Sequence, residues 1–338
     1  MKSLQLAGNS AIHLVDAPDP IPGPGEVVIE TALSALCGSE MHAYRRDGTT
    51  GAGQAAGNAG HEAVGRVAAL GEGVTGLEIG QRVGASAVAG CGHCAYCIKR
   101  QYTWCPERTF YGSMHAQRFL AAARACYPLP DDVSWEAGVL LTGDGMGVPY
   151  HTAAKIASPE IQTVAVLGVG PIGLGNVLYQ SALGRRLIAV DFAPERLELA
   201  RRLGAAEGVR AGEGAAEQVR ARTDGAGPDV CIEASGSPQG ALDCFAAVRT
   251  AGTVVFNGEQ GPLPLSPSQH FIRRDVTAVG SWFYHYGEIP AMIELYRGGL
   301  PVVDLITHRF PYQKAAEAYA LFAARKTGKV LLEWMTDD

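Results

Sequence analysis

No stretch of the chain approaches about 18 uninterrupted apolar residues, so nothing in it reads as a helix that spans a bilayer. An excess of basic charge, the mark of a nucleic-acid or anionic-membrane binder, is also missing. Lys and Arg number 28 against 34 Asp and Glu, which leaves a net charge of −6 and a pI near 5.9. Cysteine is scarce. The 8 present in 338 residues are too few for a disulfide scaffold, and most fall in patterns that suit a metal better, which points to a reducing, cytoplasmic setting. No repeat or low-complexity tract stands out, and Met1-Lys2-Ser3-Leu4 leads into mixed polar residues instead of a secretory signal. What is there is an ordinary globular composition, 47% hydrophobic and 18% charged, with length enough for two domains. Small-molecule chemistry, with neither nucleic acid nor membrane as partner, becomes the expectation.

The chain is organised around Val164 to Asp191. Val164-Ala165-Val166-Leu167 reads as a short buried strand, and Gly168-Val169-Gly170-Pro171-Ile172-Gly173 follows at once. A helix continues to Ala182, and a second apolar run, Leu187 to Val190, ends in Asp191. In a chain with 43 glycines the GxGxxG pattern alone carries little weight. Its context gives it meaning. Gly168 permits a tight turn, Gly170 lets backbone approach a pyrophosphate, Gly173 lets helix and strand pack closely, and Pro171 suits a first helical position. The anion would rest on the helix N-terminus. Asp191, about 20 residues on, stands where an acid accepts from the adenosine ribose hydroxyls, which favours NAD over NADP. Ile172 and Arg196 are further cofactor candidates, as is the turn Ala234-Ser235-Gly236 after a strand ending at Glu233.

Around this centre the texture changes twice. Up to about residue 150 short strands such as Glu26 to Ala32, Ala63 to Leu70 and Arg82 to Ala87 are separated by Pro and Gly, with no alternation of strand and helix. Alternation then begins. Helices are expected at Pro194 to Leu203, Gly214 to Arg222 and Pro238 to Val248, and strands at Asp229 to Glu233, Thr253 to Asn257 and Val276 to Gly280. The pattern is that of an α/β protein, a Rossmann doubly wound parallel sheet inserted in a β-rich lobe. The expected boundaries are 1–152 with 287–338 for the lobe and 153–286 for the insert. The tail, with helices at Ile289 to Tyr296 and Gln313 to Ala324 and a strand at Lys329 to Trp334, is expected to fold back on the first lobe. Gly48 to Gly60 reads as a mobile glycine- and alanine-rich loop.

Cys91-x2-Cys94-x2-Cys97-x7-Cys105 places four thiols in a segment too short to build a core of its own. A tetrahedral zinc with four sulfurs and no open position answers that spacing, which makes it a structural site. The alternative is a set of reduced surface thiols. A second group, Cys37-Gly38-Ser39-Glu40-Met41-His42 and then Gly60-His61-Glu62, proves nothing as a lone Cys and His.

Taken with the sequence that follows, Gly60-His61-Glu62-Ala63-Val64-Gly65 resembles the zinc signature of the medium-chain dehydrogenase/reductase superfamily, which includes zinc alcohol, sorbitol and threonine dehydrogenases. The resemblance covers nearly the whole chain. It implies a GroES-like catalytic domain around the Rossmann insert, a catalytic zinc held by Cys37 and His61, and Glu62 as the neighbouring carboxylate that can coordinate or displace the metal's water. Asp144 takes the place where members carry Cys, Glu or Asp as third ligand. Two zinc ions per chain, NAD, and a homodimer or homotetramer follow from the same resemblance. It also implies a proton path through Ser39 and His42, and places Lys329 opposite the pyrophosphate. Glu40 stands where the family motif usually has Asp, and Gly112-Ser113-Met114-His115 replaces its usual acidic, glycine-rich turn.

The reaction implied is reversible oxidation of an alcohol to a carbonyl, with zinc as Lewis acid and NAD accepting hydride. Glu40, Tyr44, Arg45, Arg46, His115 and Asp144 are candidates for a polar pocket, which leans the substrate toward a sugar, cyclitol, polyol or amino alcohol. Two rivals stand beside it: an epimerase or lyase-type enzyme that oxidises transiently on tightly bound NAD, and a non-catalytic cofactor-binding relative. The aromatic run Trp282 to Tyr286 reads equally as core, as a nicotinamide neighbour or as a subunit contact.

Overall fold

The computed structural model describes residues 1–48 and 57–335. Most of the 48–60 stretch read as a mobile loop therefore lies outside the described residues. The chain divides into two compact units, Met1–Gly147 with Tyr284–Asp338, and Val148–Phe283. Among the described residues, no helix is long and apolar enough to cross a membrane.

The second unit is built on a six-stranded sheet in the order Glu207–Arg210, Arg186–Asp191, Thr163–Leu167, Val230–Glu233, Thr253–Phe256, Thr277–Gly280. Every pairing is parallel. From Thr163–Leu167 the chain winds outward one way, then returns to lay Val230–Glu233 on that strand's other side. This reversal is the switch point at which such sheets bind ligands, at the carboxyl ends of the strands. Val164, Ala165 and Val166 are wholly buried, so the central strand is a continuous apolar run, as a strand covered on both faces should be. The helices Pro171–Ala182, Pro194–Arg202 and Pro238–Ala247 each begin on the proline that marks their first turn. Glu207–Arg210 is a strand the sequence reading did not find. It lies at the sheet edge and has four residues, of which Val209 alone is buried, so it carries no apolar signature.

The first unit centres on Glu26–Ala35, which pairs antiparallel with Ala63–Leu70, Arg118–Ala122 and Lys329–Glu333. The last of these brings the C-terminal segment into a sheet otherwise made by the N-terminal one, and Ile306–Pro311 pairs parallel with it at the edge. Helix Ala315–Ala323 buries Ala318, Tyr319 and Phe322 in a core with Leu36, Leu332 and Trp334.

Two features correct the sequence reading. The region before 150 does not end in strands and turns alone, because helices Trp135–Leu141 and Asp144–Lys155 close it. Ser134 caps the first, its hydroxyl accepting from Ala137 N–H at 3.1 Å. Pro149 lies inside the second, and a proline among glycines hides a helix from any propensity argument. The aromatic run resolves in part as packing. Tyr284 is buried with its hydroxyl donating to the Thr142 carbonyl, His285 meets Trp104 edge-on at 4.4 Å, and Tyr286 stacks on Tyr102 at 5.3 Å.

Candidate active site

Cys37 follows the end of the long strand Glu26–Ala35, His61 and Glu62 precede the strand Ala63–Leu70, and Asp144 opens a helix. Glycines make these approaches possible. At Gly60, where φ is +91°, a Cβ would lie 2.5 Å from the His115 backbone nitrogen; at Gly143 it would lie 2.5 Å from the Val139 carbonyl oxygen. The turns deliver four donor residues, Cys37, His61, Glu62 and Asp144, whose ligand atoms all fall within 4.8 Å of one another. Asp144 Oδ2 lies 3.1 Å from His61 Nε2 and 3.7 Å from Cys37 Sγ.

Separations of this size are those between donors on a tetrahedral zinc, given metal–ligand bonds of about 2.0–2.3 Å. Asp144 Oδ1 and Glu62 Oε2 are buried with no hydrogen-bond partner among the described residues. Buried carboxylate oxygens left unmatched are costly, and a cation answers them. Sulfur, imidazole nitrogen and carboxylate together fit zinc in chemistry as well as spacing. Burial opposes the charge on Asp144, yet its hydrogen bond to His61 and the His61 charge hold its carboxyl below the ordinary value.

Glu62 has a partner that spacing did not reveal. Lys329 is wholly buried, and its ammonium donates to Glu62 Oε1. Burial disfavours a charged lysine, but the carboxylate beside it raises Lys329 above its ordinary pKa and keeps it protonated. Lys329 thus belongs to the donor cluster of the first unit.

Cys91, Cys94, Cys97 and Cys105 likewise converge within 4.8 Å, all four as free thiols. Cys91 Sγ and Cys97 Sγ are 3.9 Å apart, close to the roughly 3.8 Å edge of a tetrahedron with 2.3 Å zinc–sulfur bonds. Gly90 has no room for a side chain, since a Cβ would meet Cys97 Sγ at 2.2 Å. Hydrogen bonding from the His93 N–H outweighs burial and lowers the Cys91 thiol to about 6, which favours the thiolate that binds metal.

In the second unit, Gly168 turns with φ of +87°, and a Cβ on Gly173 would lie 2.0 Å from the Gly168 carbonyl oxygen, so helix and strand approach as only glycine allows. Asp191 is buried, its Oδ2 accepting from Val169 N–H and its Oδ1 from Ala193 N–H, both at 2.9 Å. It therefore holds the glycine turn itself and keeps further acceptor capacity on both oxygens. Arg196 sits closest to the open side of Gly170, 3.6 Å from where a Cβ would be. Ser235 N–H and Gly236 N–H both donate to Glu233 Oε1, which fixes the turn at Ala234 and Ser235.

Comparison with known proteins bears on these two constellations. Residues 23–131 match the alcohol dehydrogenase GroES-like domain, and 171–297 match the zinc-binding dehydrogenase model. An uncharacterized zinc-type alcohol dehydrogenase-like protein of Escherichia coli (strain K12) is 30% identical, with 99% of each chain covered. The chain belongs to the zinc-type alcohol dehydrogenase family. An L-threonine 3-dehydrogenase of Xanthomonas oryzae pv. oryzae (strain MAFF 311018) is 30% identical, covering 96% of this chain and 97% of that one. The structure of galactitol-1-phosphate dehydrogenase from Escherichia coli is similar with a TM-score of 0.84 at 26% identity, covering 98% of this chain and 100% of that one. This dehydrogenase is accordingly an oxidoreductase of alcohols, in a family whose members imply zinc and NAD.

The remaining candidates divide by burial. Ser39 and His42 of the dehydrogenase are exposed, at the start of helix Glu40–Arg45. Glu40, Tyr44 and His115, read as polar lining for a substrate, are buried instead. Tyr44 packs in the apolar cluster with Tyr319, and Glu40 and His115 lie in contact with each other. Arg45 is exposed and donates to the Ala323 carbonyl at 2.7 Å. The roles of Glu40, His115 and Lys329 escaped sequence reasoning because each meets its partner from far away in the chain.

Proposed function

We propose that this dehydrogenase oxidises a polyhydroxylated or amino alcohol to the carbonyl compound, with one zinc held by Cys37, His61 and Asp144 and NAD held at the glycine turn. The observation that carries the reading is the convergence of Cys37 Sγ, His61 Nε2 and Asp144 Oδ2 beside two unmatched buried carboxylate oxygens. When bound, zinc supplies Lewis acidity that acidifies a substrate hydroxyl, and NAD accepts the hydride. Three protein ligands leave one position open, as a catalytic site requires, whereas the four thiols of Cys91, Cys94, Cys97 and Cys105 close a second, structural zinc.

Lys329 holds Glu62 at the pocket wall, next to His61, so a carboxylate stays at hand without a free negative charge in the interior. Ser39 and His42, both solvent-facing, take the proton away as a hydroxyl and an imidazole able to relay it. Asp191 offers its spare lone pairs to the ribose hydroxyls, and Arg196 faces the position of the phosphates beside Gly170. The lean toward polyols and amino alcohols rests on the relatives named above, since four of the six polar side chains first read as pocket lining, Glu40, Tyr44, His115 and Asp144, are buried. A cytoplasmic homo-oligomer, dimer or tetramer, completes the reading by analogy with the family.

The test is NAD⁺ reduction over a panel of polyols, sugar phosphates, amino alcohols and simple primary alcohols. Stoichiometric NADH with the polyhydroxylated or amino substrates supports the proposal. Preference for simple alcohols would overturn the substrate class, and turnover without NADH release would favour an epimerase.

A further inference from the structure

This inference rests on the metal site proposed above and concerns what holds its ligands apart. Glu40 is buried, and its oxygens accept from two backbone donors, Cys37 N–H at 3.0 Å on Oε2 and Gly60 N–H at 2.6 Å on Oε1. One carboxylate thus ties the residue that carries the thiol to the residue that precedes the imidazole. His115 stands behind it, fully buried. Its Nε2 lies 3.3 Å from Glu40 Oε1, a close polar contact off the hydrogen-bond axis, and its Nδ1 lies 2.7 Å from Ser34 Oγ.

Donor bookkeeping gives this chain a direction. Trp334 Nε1–H can only donate, and does so to Ser34 Oγ at 2.8 Å. The Ser34 hydroxyl then donates to His115 Nδ1, which leaves Nε2–H for the acceptor-only carboxylate. In that arrangement no buried donor faces another. The ring is also fixed by its backbone: His115 N–H donates to the Ala59 carbonyl at 2.9 Å, and Met114 N–H to the Gly60 carbonyl at 3.1 Å. Tyr319 meets the ring edge-on at 6.2 Å, and a Cβ on Gly60 would lie 2.6 Å from His115 Cγ. Loop 112–116 therefore sets where His61 begins. Glu40 in place of the shorter Asp is what reaches it.

We propose that His115 is a positioning residue for the metal pocket, acting through Glu40 to fix the spacing between Cys37 and His61. Outer partners of metal ligands are worth about 10- to 100-fold in metal affinity. The experiment compares wild type with His115→Phe, which keeps the ring and removes both polar contacts, and His115→Gln, which keeps an N–H donor. Three quantities are read: the rate of Zn²⁺ release to a chelator, the visible absorption bands of the Co²⁺-substituted protein, and the melting temperature of the metal-free protein. The expected result is release of one zinc about 10-fold faster in His115→Phe, with shifted Co²⁺ bands, partial return of both in His115→Gln, and metal-free melting temperatures lowered alike in the two variants, since both disturb the Ser34 contact. Wild-type release and bands in His115→Phe would overturn the proposal, as would changes that merely follow a lowered metal-free melting temperature. Should His115→Phe fail to fold, Glu40→Asp is read on the same scale, faster release upholding the proposal and wild-type release overturning it. A wild-type protein with no zinc at Cys37 would instead remove the metal site itself, and this inference with it.

Discussion

Lys329 and Glu62 show how much a single pair can carry. Both are wholly buried, and each charge is tolerated because the other is present. Lys329→Met should leave a carboxylate buried and unpaired and cost about 3–5 kcal/mol, read as a lowered melting temperature. Adding Glu62→Gln in the same chain should recover much of that loss, because the orphaned charge is gone. If the single variant melts as wild type does, the ion pair is not what keeps Glu62 in the pocket. None of this was visible in the sequence, where the two residues stand 267 positions apart. Cys37 and His61 were singled out because the glycines and the acid around them resemble a family signature, and their donor atoms do converge. Glu40 and His115 were put at a substrate because polarity is written in the sequence and burial is not.

At the scale of elements, the strand, glycine turn and helix from Thr163 to Ala182 were readable almost residue by residue. Their geometry depends on atoms that glycine lacks, so the sequence states the constraint directly. Gly173→Ala places a methyl 2.0 Å from the Gly168 carbonyl oxygen, which is backbone and cannot step aside. The variant should weaken NADH binding at least about 10-fold and destabilise the second unit by about 1–3 kcal/mol. Wild-type NADH affinity measured by fluorescence titration would show that the close approach has no part in cofactor binding. The edge strand Glu207–Arg210 and the helix that contains Pro149 escaped detection for opposite reasons. The strand is too short and polar to show a period, and the helix contains the residue that ordinarily ends one.

For the molecule as a whole, all metal donors come from the first unit and the glycine turn from the second. A lesion in one should leave the other's binding intact. Cys37→Ser should lower kcat at least about 100-fold, since even outer-shell changes reach that size, while the dissociation constant for NADH stays within about twofold of wild type. Loss of NADH binding in that variant would mean that the two functions are not separable as described. The glycine turn was legible because it is local in the chain, whereas the metal donors, spread from Cys37 to Asp144, came only from the family resemblance. The ion pair and the His115 contact were not legible, since they form only when distant segments share one core.

The most direct measurement is anomalous diffraction at the zinc edge from crystals of the purified wild-type protein. The account requires two peaks per chain, one within about 2.0–2.4 Å of Cys37 Sγ, His61 Nε2 and an Asp144 carboxylate oxygen, the other at the centre of Cys91, Cys94, Cys97 and Cys105. A protein that binds zinc at the four thiols but shows no anomalous density between Cys37, His61 and Asp144 would contradict it.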